Sequence, residues 1–359
     1  MAEQRHIRAQ RARAQAIGGG VRCGGVAEVL ARVVGVQAQD PASAALGVRA
    51  RSVGLTAGDV RWAVENRVAV RGWFMRGTLH LVAASDVRRL LDLLGPVFLR
   101  SGERRLRELG LDPKLCARAE RLIGLAIAAD GPLTRAELTE RLGTLGVPTE
   151  GQAAFHLIRR SALAGQICYG PEGDGPAARA RFALLDAWLP ADGRQPWGAE
   201  DAVVELAHRY RAGYGPSAAQ DFATWSGLPM PAAKRAWSAA MSDRPDAEAD
   251  TESDVESDAE GEDAAEAGDV RLLPAYDNYL TAYRSRELSV PAAHERQVWP
   301  GGGQIRASIV VDGWAVGTWS CGVKGSAGVM VSPFGALSAG VEDGVAAEAA
   351  DIDRFLARG

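Results

Sequence analysis

The feature that most constrains this chain is a run of three amphipathic segments and two extended ones between about residues 117 and 184. Over residues 117–129, Leu122, Ile123 and Ile127 recur at helical spacing. Thr134-Arg-Ala-Glu137, just ahead of Leu138, reads as a capping box that opens a second helix over 134–142. In such a box the threonine hydroxyl and the glutamate carboxylate each satisfy a free helix-end N–H. A third helix over 150–163 places Phe155, Ile158 and Ala162 on its inner face and Gln152, His156, Arg159 and Arg160 on its other side. Residues 166–169 and Ala180–Leu184 then read as two strands around a glycine-rich loop. Three helices followed by a hairpin is the winged-helix order, in which the third helix enters the DNA major groove. The competing reading is a generic small helical domain.

The order recurs on both sides. Toward the N-terminus, helices are expected over 27–34, 42–48 and 56–66, the last opened by Thr56-Ala-Gly-Asp59. Strands over 68–75 and 78–82 then surround Arg76-Gly77. Toward the C-terminus, helices are expected over 200–212, 217–226 and 231–240, with Ser217-Ala-Ala-Gln220 as a further box. Val270–Leu273 reads as a strand, Ser308–Val311 and 315–319 form a hairpin across Asp312-Gly313, and 345–356 is a final amphipathic helix. The expected fold class is therefore α+β, with three tandem winged-helix units. The first occupies residues 1–85, a helical connector follows over 86–116, the second unit covers 117–190 and the third 200–359.

A net charge of −4 conceals an uneven distribution. Residues 243–269 hold 13 acids and one base, and without them the chain carries 40 bases and 32 acids. Residues 241–268 have almost no large apolar side chains, so an acidic, disordered loop is expected inside the third unit. The remaining basic body suits a polyanionic partner. No apolar run is long enough to span a membrane, and the N-terminus leads into a charged helix rather than an apolar signal core. The four scattered cysteines, Cys23, Cys116, Cys168 and Cys321, form no C-x-x-C pair, and the five histidines lack metal-ligand spacing. Reduced, buried thiols in a cytoplasmic protein with no metal and no cofactor are expected.

Between the first two helices lies Gly35-Val36-Gln37-Ala38-Gln39-Asp40-Pro41. Gly35 suits a left-handed helix end, Asp40 an N-cap and Pro41 the first helical position. Gln37-Ala38-Gln39 is then extended, and a period of two points both glutamine side chains to one side. An amide does not titrate, so neither glutamine is a general base; each can orient a water or hydrogen-bond a sugar or phosphate. Two ordinary polar loop residues are the alternative.

Gln37-Ala38-Gln39, Trp73-Phe-Met-Arg76-Gly77-Thr78-Leu79-His80-Leu-Val, Asp221-Phe-Ala-Thr-Trp225-Ser-Gly227-Leu, Leu272-Leu-Pro274-Ala-Tyr276-Asp277-Asn278-Tyr279-Leu and Val311-Asp-Gly313-Trp-Ala-Val-Gly317-Thr-Trp319 follow one another in this order. Together they resemble the AlkZ/YcaQ family of bacterial alkylpurine and interstrand-crosslink DNA glycosylases, over nearly the whole chain. The resemblance implies three winged helices in a C-shaped arrangement around a DNA channel. It also implies a catalytic Gln-apolar-Gln (or Asp) motif, which Gln37-Ala38-Gln39 matches with a small middle residue. The long acidic insert departs from that pattern. The implied activity is monofunctional hydrolysis at N7-alkylated purines, with bulky adducts and crosslinks among the candidates, in DNA repair or in self-resistance to a genotoxin. The implied partner is double-stranded DNA carrying the alkylated purine, bound by a monomer associated with the nucleoid.

An N7-alkylated guanine is cationic and leaves as a neutral base, so strong acid catalysis is not required. The chain has three lysines, Lys114, Lys234 and Lys324, none near the motif, which argues against a Schiff-base lyase. Arg76 and His80 are read either as phosphate contacts or as hairpin residues facing solvent. Asp277 is read either as a channel carboxylate that stabilises sugar charge or as a helix cap. Gln152, His156, Arg159 and Arg160 contact DNA if their helix meets it, and otherwise form a solvated face. The competing function is a non-enzymatic winged-helix regulator.

Overall fold

The computed structural model describes residues 2–172, 180–190, 199–242, 268–321 and 328–357. Residues 243–267, which hold nearly all of the acidic insert, lie outside the described residues. The first helix, α1 (Ala2–Ala14), precedes α2 (Val26–Arg32), β1 (Val36–Gln37), α3 (Pro41–Arg49), α4 (Ala57–Glu65), β2 (Ala69–Trp73) and β3 (Leu79–Ala83). Next come α5 (Val87–Glu108), α6 (Pro113–Asp130), β4 (Leu133–Thr134), α7 (Arg135–Gly143), α8 (Ala153–Leu163), β5 (Ile167–Glu172), β6 (Ala180–Leu184) and α9 (Leu185–Trp188). The third region holds α10 (Ala199–Tyr214), α11 (Ala219–Ser226), α12 (Met230–Ser242), β7 (Val270–Leu273), α13 (Asn278–Thr281), α14 (Glu295–Val298), β8 (Ser308–Val311), β9 (Trp314–Cys321), β10 (Val329–Pro333) and α15 (Ala339–Ala357).

The first two regions share one order of elements: helix, short strand, two helices, hairpin. Their sheets are β1-β3-β2 and β4-β6-β5, so in each the short strand pairs with the second hairpin strand. Two-residue strands carry too little pattern to be seen by periodicity, and neither was expected as a strand. Leu133 pairs with Phe182, while Thr134 both ends β4 and caps α7, accepting from the Glu137 N–H as Glu137 accepts from that of Thr134. The Thr56–Asp59 box is complete too. The third expected box is displaced by one residue. Ala218, not Ser217, precedes α11, and Asp221 rather than Gln220 accepts its backbone N–H at 3.0 Å.

In the third region the sheet order is β10-β9-β8-β7. Asp312 and Gly313 both have positive φ, 48° and 76°, as the two-residue turn between β8 and β9 requires. The connector is one 22-residue helix, α5, that runs through Pro96. Trp73 on β2 meets Tyr169 and Phe182 of the second sheet at ring separations of 5.4 and 6.3 Å, so the two sheets share an aromatic core. The first helix packs on the third region: the Arg8 guanidinium lies 4.5 Å over the Trp314 ring, and Arg11 lies 3.8 Å over Tyr283. Three of the cysteines are buried, but Cys321 is exposed because it lies at the end of β9.

Two details of α8 depart from expectation. Its buried face is Ala153, Ala154, Leu157, Ile158, Ser161, Ala162 and Leu163. Phe155 lies at the margin, edge-on to Trp73 at 6.1 Å. The helix is also not free to enter a groove along its length, since α5, α6, α7 and β2 all pack against it.

Candidate active site

Helix α2 ends at Val33, and the Gly35 N–H reaches back to the Leu30 carbonyl at 2.9 Å. This is the 6→1 bond of a Schellman ending, which makes Val34 the left-handed residue, with φ 52°. A β-branched residue there is strained by about 1–3 kcal/mol. Gly35, expected to supply the left-handed turn itself, lies one position later with φ 98°. It is needed for a second reason: a Cβ there would lie 2.6 Å from Val82 Cγ1 and 2.8 Å from the Leu81 carbonyl. The chain can then pair as β1 beside β3, with Val36 opposite Leu81 and Gln37 opposite His80.

The loop beyond is held from several sides. The Gln37 N–H donates to Asn278 Oδ1 at 3.0 Å. The same Asn278 donates through Nδ2 to the Gly35 carbonyl and to the Tyr214 hydroxyl, both at 2.7 Å. Tyr214 in turn donates to the Val33 carbonyl. The Ala38 N–H bonds the Leu79 carbonyl at 2.8 Å, and Arg71 Nε donates to the Ala38 carbonyl at 2.9 Å. Asp40 caps α3 by accepting from the Ser43 N–H at 2.8 Å, with Pro41 in the first turn. None of Asn278, Tyr214 or Arg71 was singled out from sequence. Each acts through a bond to a distant backbone atom, which no local pattern announces.

Gln37 is half-buried and Gln39 exposed, and both line one cleft of about 500 Å³. Arg76 and Thr78 continue its wall from the first hairpin, and Thr224 joins from α11. Tyr276, Thr281, Arg284, Arg286 and Trp299 close it from the third region. The Arg286 guanidinium stacks 4.3 Å over the Trp299 ring and pairs with Glu295. Arg284 is exposed; its backbone N–H donates to Asp221 Oδ1 at 2.9 Å, and its guanidinium has no acidic partner among the described residues. Among the described residues, no lysine lines the cleft. Arg76 presents one nitrogen to Gln37 Oε1 at 2.9 Å and another to the Trp225 carbonyl at 3.1 Å. Both glutamines, three arginines and three aromatic rings therefore share one polar concavity that suits a sugar–phosphate chain.

The other expected site residues lie elsewhere. Asp277 does not face the cleft as a free carboxylate. It is 4% exposed, and its two oxygens accept from Arg51 at 2.8 Å each. It also caps α13 through the Tyr279 N–H. Its negative charge is balanced by Arg51 across these bonds. Arg159 donates to the Gly77 carbonyl at 3.1 Å, bracing the hairpin tip, and Arg160 pairs with Glu120 at 2.6 Å. Both cations are thus engaged within the chain. Gln152 is exposed at the start of α8 and accepts from Arg105 at 2.9 Å. His156 is partly buried beside Phe155, and burial followed by the charges of Arg159 and Arg105 pushes its pKa down. None of these four lines the cleft.

His80 faces neither solvent nor phosphate. It is 1% exposed, with Nδ1 3.0 Å from the Thr78 carbonyl. Burial, reinforced by the Arg76 charge, drives its pKa down to about 3. Folded His80 therefore stays neutral, whereas unfolded His80 takes up a proton below about pH 6.5. The unfolded state binds more protons through that window, so stability falls as pH falls from about 6.5 toward 3. Between pH 7 and 5 the loss traceable to His80 is about 2 kcal/mol. Urea unfolding at the two pH values checks this: His80→Gln should remove about that much of the wild-type difference, and an unchanged difference would refute the assignment.

Among the described residues, no group of three or more His, Cys, Asp or Glu side chains is placed to hold a metal ion. No helix there is long and apolar enough to cross a membrane.

Comparison with known proteins places this geometry in context. The family model described as DNA glycosylase AlkZ-like matches residues 30–355. An interstrand DNA cross-link repair glycosylase from Streptomyces sahachiroi is 27% identical over 307 residues, covering 81% of each chain. The solved structure of the DNA glycosylase AlkZ from the same organism superposes with a TM-score of 0.76 at 24% identity, covering 98% of this chain and 96% of that one. The match begins before the glutamine loop and ends within α15, so the cleft and every element that shapes it lie inside it, and the chain belongs to the AlkZ-like family of DNA glycosylases.

Proposed function

We propose that this DNA glycosylase hydrolyses the N-glycosidic bond of N7-alkylated purines in duplex DNA, and that the cleft carrying Gln37 and Gln39 is where it does so. The reading extends to bulky adducts and interstrand crosslinks, because the Streptomyces relative is named for cross-link repair. Three winged-helix units, over about residues 20–85, 117–190 and 200–330, form the tandem, C-shaped scaffold in this reading. The helix–strand–helix–helix–hairpin order of the first two regions supports it. The chain acts as a monomer on its DNA.

The observation that carries the proposal is the placement of two neutral amides on one wall of an arginine-lined cleft. Alkylation at N7 has already made the purine a good leaving group. What remains is to stabilise an oxocarbenium-like sugar and to place a water, both within the capacity of amides. Asp277, the carboxylate expected as catalytic support, is paired with Arg51. With no lysine among the described residues that line the cleft, hydrolysis stops at the abasic site in this reading. Incubation with a duplex carrying N7-methylguanine, followed by alkaline cleavage of abasic sites, tests the activity. Strand breaks at the lesion, and none before the alkali step, are expected; an intact strand would reject the substrate class, and breaks without alkali would reject the monofunctional step. Membership of a glycosylase family leaves a purely regulatory role unsupported.

A further inference from the structure

Arg76 occupies an unusual place in the cleft. It lies at the tip of the first hairpin, in a 3-10 turn over Met75–Gly77, with a left-handed φ of 56° that a non-glycine residue adopts only under constraint. Its charge is largely withdrawn from water, and no carboxylate pairs with it among the described residues. Burial accordingly lowers its pKa. Both of its recorded bonds go to neutral carbonyl oxygens. One is that of Trp225, in the last turn of α11, where a helix leaves its carbonyls without backbone partners. The other is the side-chain oxygen of Gln37. Gly227 ends α11 in the left-handed conformation, and a Cβ there would lie 2.9 Å from Arg76 Cα. The glycine lets α11 close onto the hairpin tip, so the third region supplies an anchor for a guanidinium of the first.

A primary amide has two faces, a carbonyl acceptor and an NH2 donor, and can flip between them. Arg76 has only donors, so it accepts one flip state: Oε1 toward the guanidinium and Nε2 away from it. We propose that Arg76 is a positioning residue that locks the Gln37 amide with its NH2 group turned to the cleft. Gln37 then serves the reaction as a hydrogen-bond donor, to the attacking water or to a sugar or phosphate oxygen. This rests on the reading of Gln37 as a catalytic residue, and it replaces the expectation that Arg76 itself holds a phosphate.

Single-turnover excision of N7-methylguanine by Arg76→Ala, Arg76→Lys, Gln37→Ala and the Arg76→Ala/Gln37→Ala pair tests it, with binding to undamaged duplex measured alongside. Loss of a charge-assisted bond predicts about a 10- to 100-fold slower rate for Arg76→Ala. Lysine keeps the charge but lacks the planar fork that spans Trp225 and Gln37, so Arg76→Lys should fall with the alanine variant. In the Gln37→Ala background, Arg76→Ala should change the rate by less than about threefold, since the group it orients is gone. An undiminished effect in that background overturns the proposal. Rescue by lysine, or loss of duplex binding with a salt slope reduced by about one, also overturns it, in favour of a phosphate contact. If Gln37→Ala excises at the wild-type rate, the reading of Gln37 fails first, and the proposal fails with it.

Discussion

Gln37→Ala and Gln39→Ala are each expected to slow base excision while leaving affinity for undamaged duplex nearly unchanged. A hydrogen bond made mainly at the transition state is worth about 2–4 kcal/mol by analogy with an oxyanion-hole donor, or roughly 30- to 1,000-fold in rate. The two should not be equal. Gln37 is half-buried, its amide is bonded by Arg76, and its backbone is fixed by Asn278, so its geometry exists before substrate arrives. Gln39 is exposed, and its side chain has no partner among the described residues, so some of its interaction energy is spent on ordering. Gln37→Ala should therefore lie toward the upper end of the range and Gln39→Ala toward the lower. If both amides hold one water, the double variant loses less than the product of the two factors. The loss should appear in the single-turnover rate. Wild-type excision by both single variants would remove the motif from the chemistry. Loss of binding in proportion to activity would make it a backbone contact.

The glutamine loop was legible because its punctuation is local. Asp40 and Pro41 open α3 within four residues of Gln37, and the extended stretch between two helices puts alternate side chains on one side. The same local logic made the Thr134–Glu137 box and the Asp312-Gly313 turn readable. What holds the site was not legible. Asn278 meets the Gln37 N–H across 241 positions in the chain, and Arg51 meets Asp277 across 226. Such contacts depend on how the first and third regions pack, and packing is not periodic. Differences from expectation have the same cause. His80 alternates with core residues on β3, yet every residue of that strand is buried, because β1 and α2 cover what a two-stranded hairpin would leave to solvent. Arg159 and Arg160 lie where a recognition helix would show its cations, but α6 and the hairpin tip reach them first.

The largest effect on stability is expected at Arg51 and Asp277. Arg51 is fully buried and Asp277 nearly so, and two bonds of 2.8 Å join them. Arg51 also donates to the Gly47 carbonyl and to Gln15 Oε1, tying the end of α3 and the segment after α1 to the start of α13. Removing one partner leaves an uncompensated charge in a dry interior, so Arg51→Met or Asp277→Asn should cost about 3–5 kcal/mol. That is a large share of the roughly 5–15 kcal/mol by which proteins of ordinary size are stable. Replacing both, as Arg51→Met with Asp277→Leu, removes both charges and should recover part of the loss; the α13 cap stays lost, because leucine cannot accept the Tyr279 N–H. Urea unfolding measures each variant. The same variants separate two roles for Asp277. If the carboxylate is structural, Asp277→Asn assayed at low temperature, where it remains folded, should excise N7-methylguanine within about threefold of the wild-type rate, because an interaction absent from the transition state leaves the single-turnover constant alone. A fall of a hundredfold or more with unfolding unchanged would reverse the assignment. The carboxylate would then have to leave Arg51 during turnover, at the cost of exposing a buried guanidinium without its partner, and the ion pair would be a gate instead of a strut.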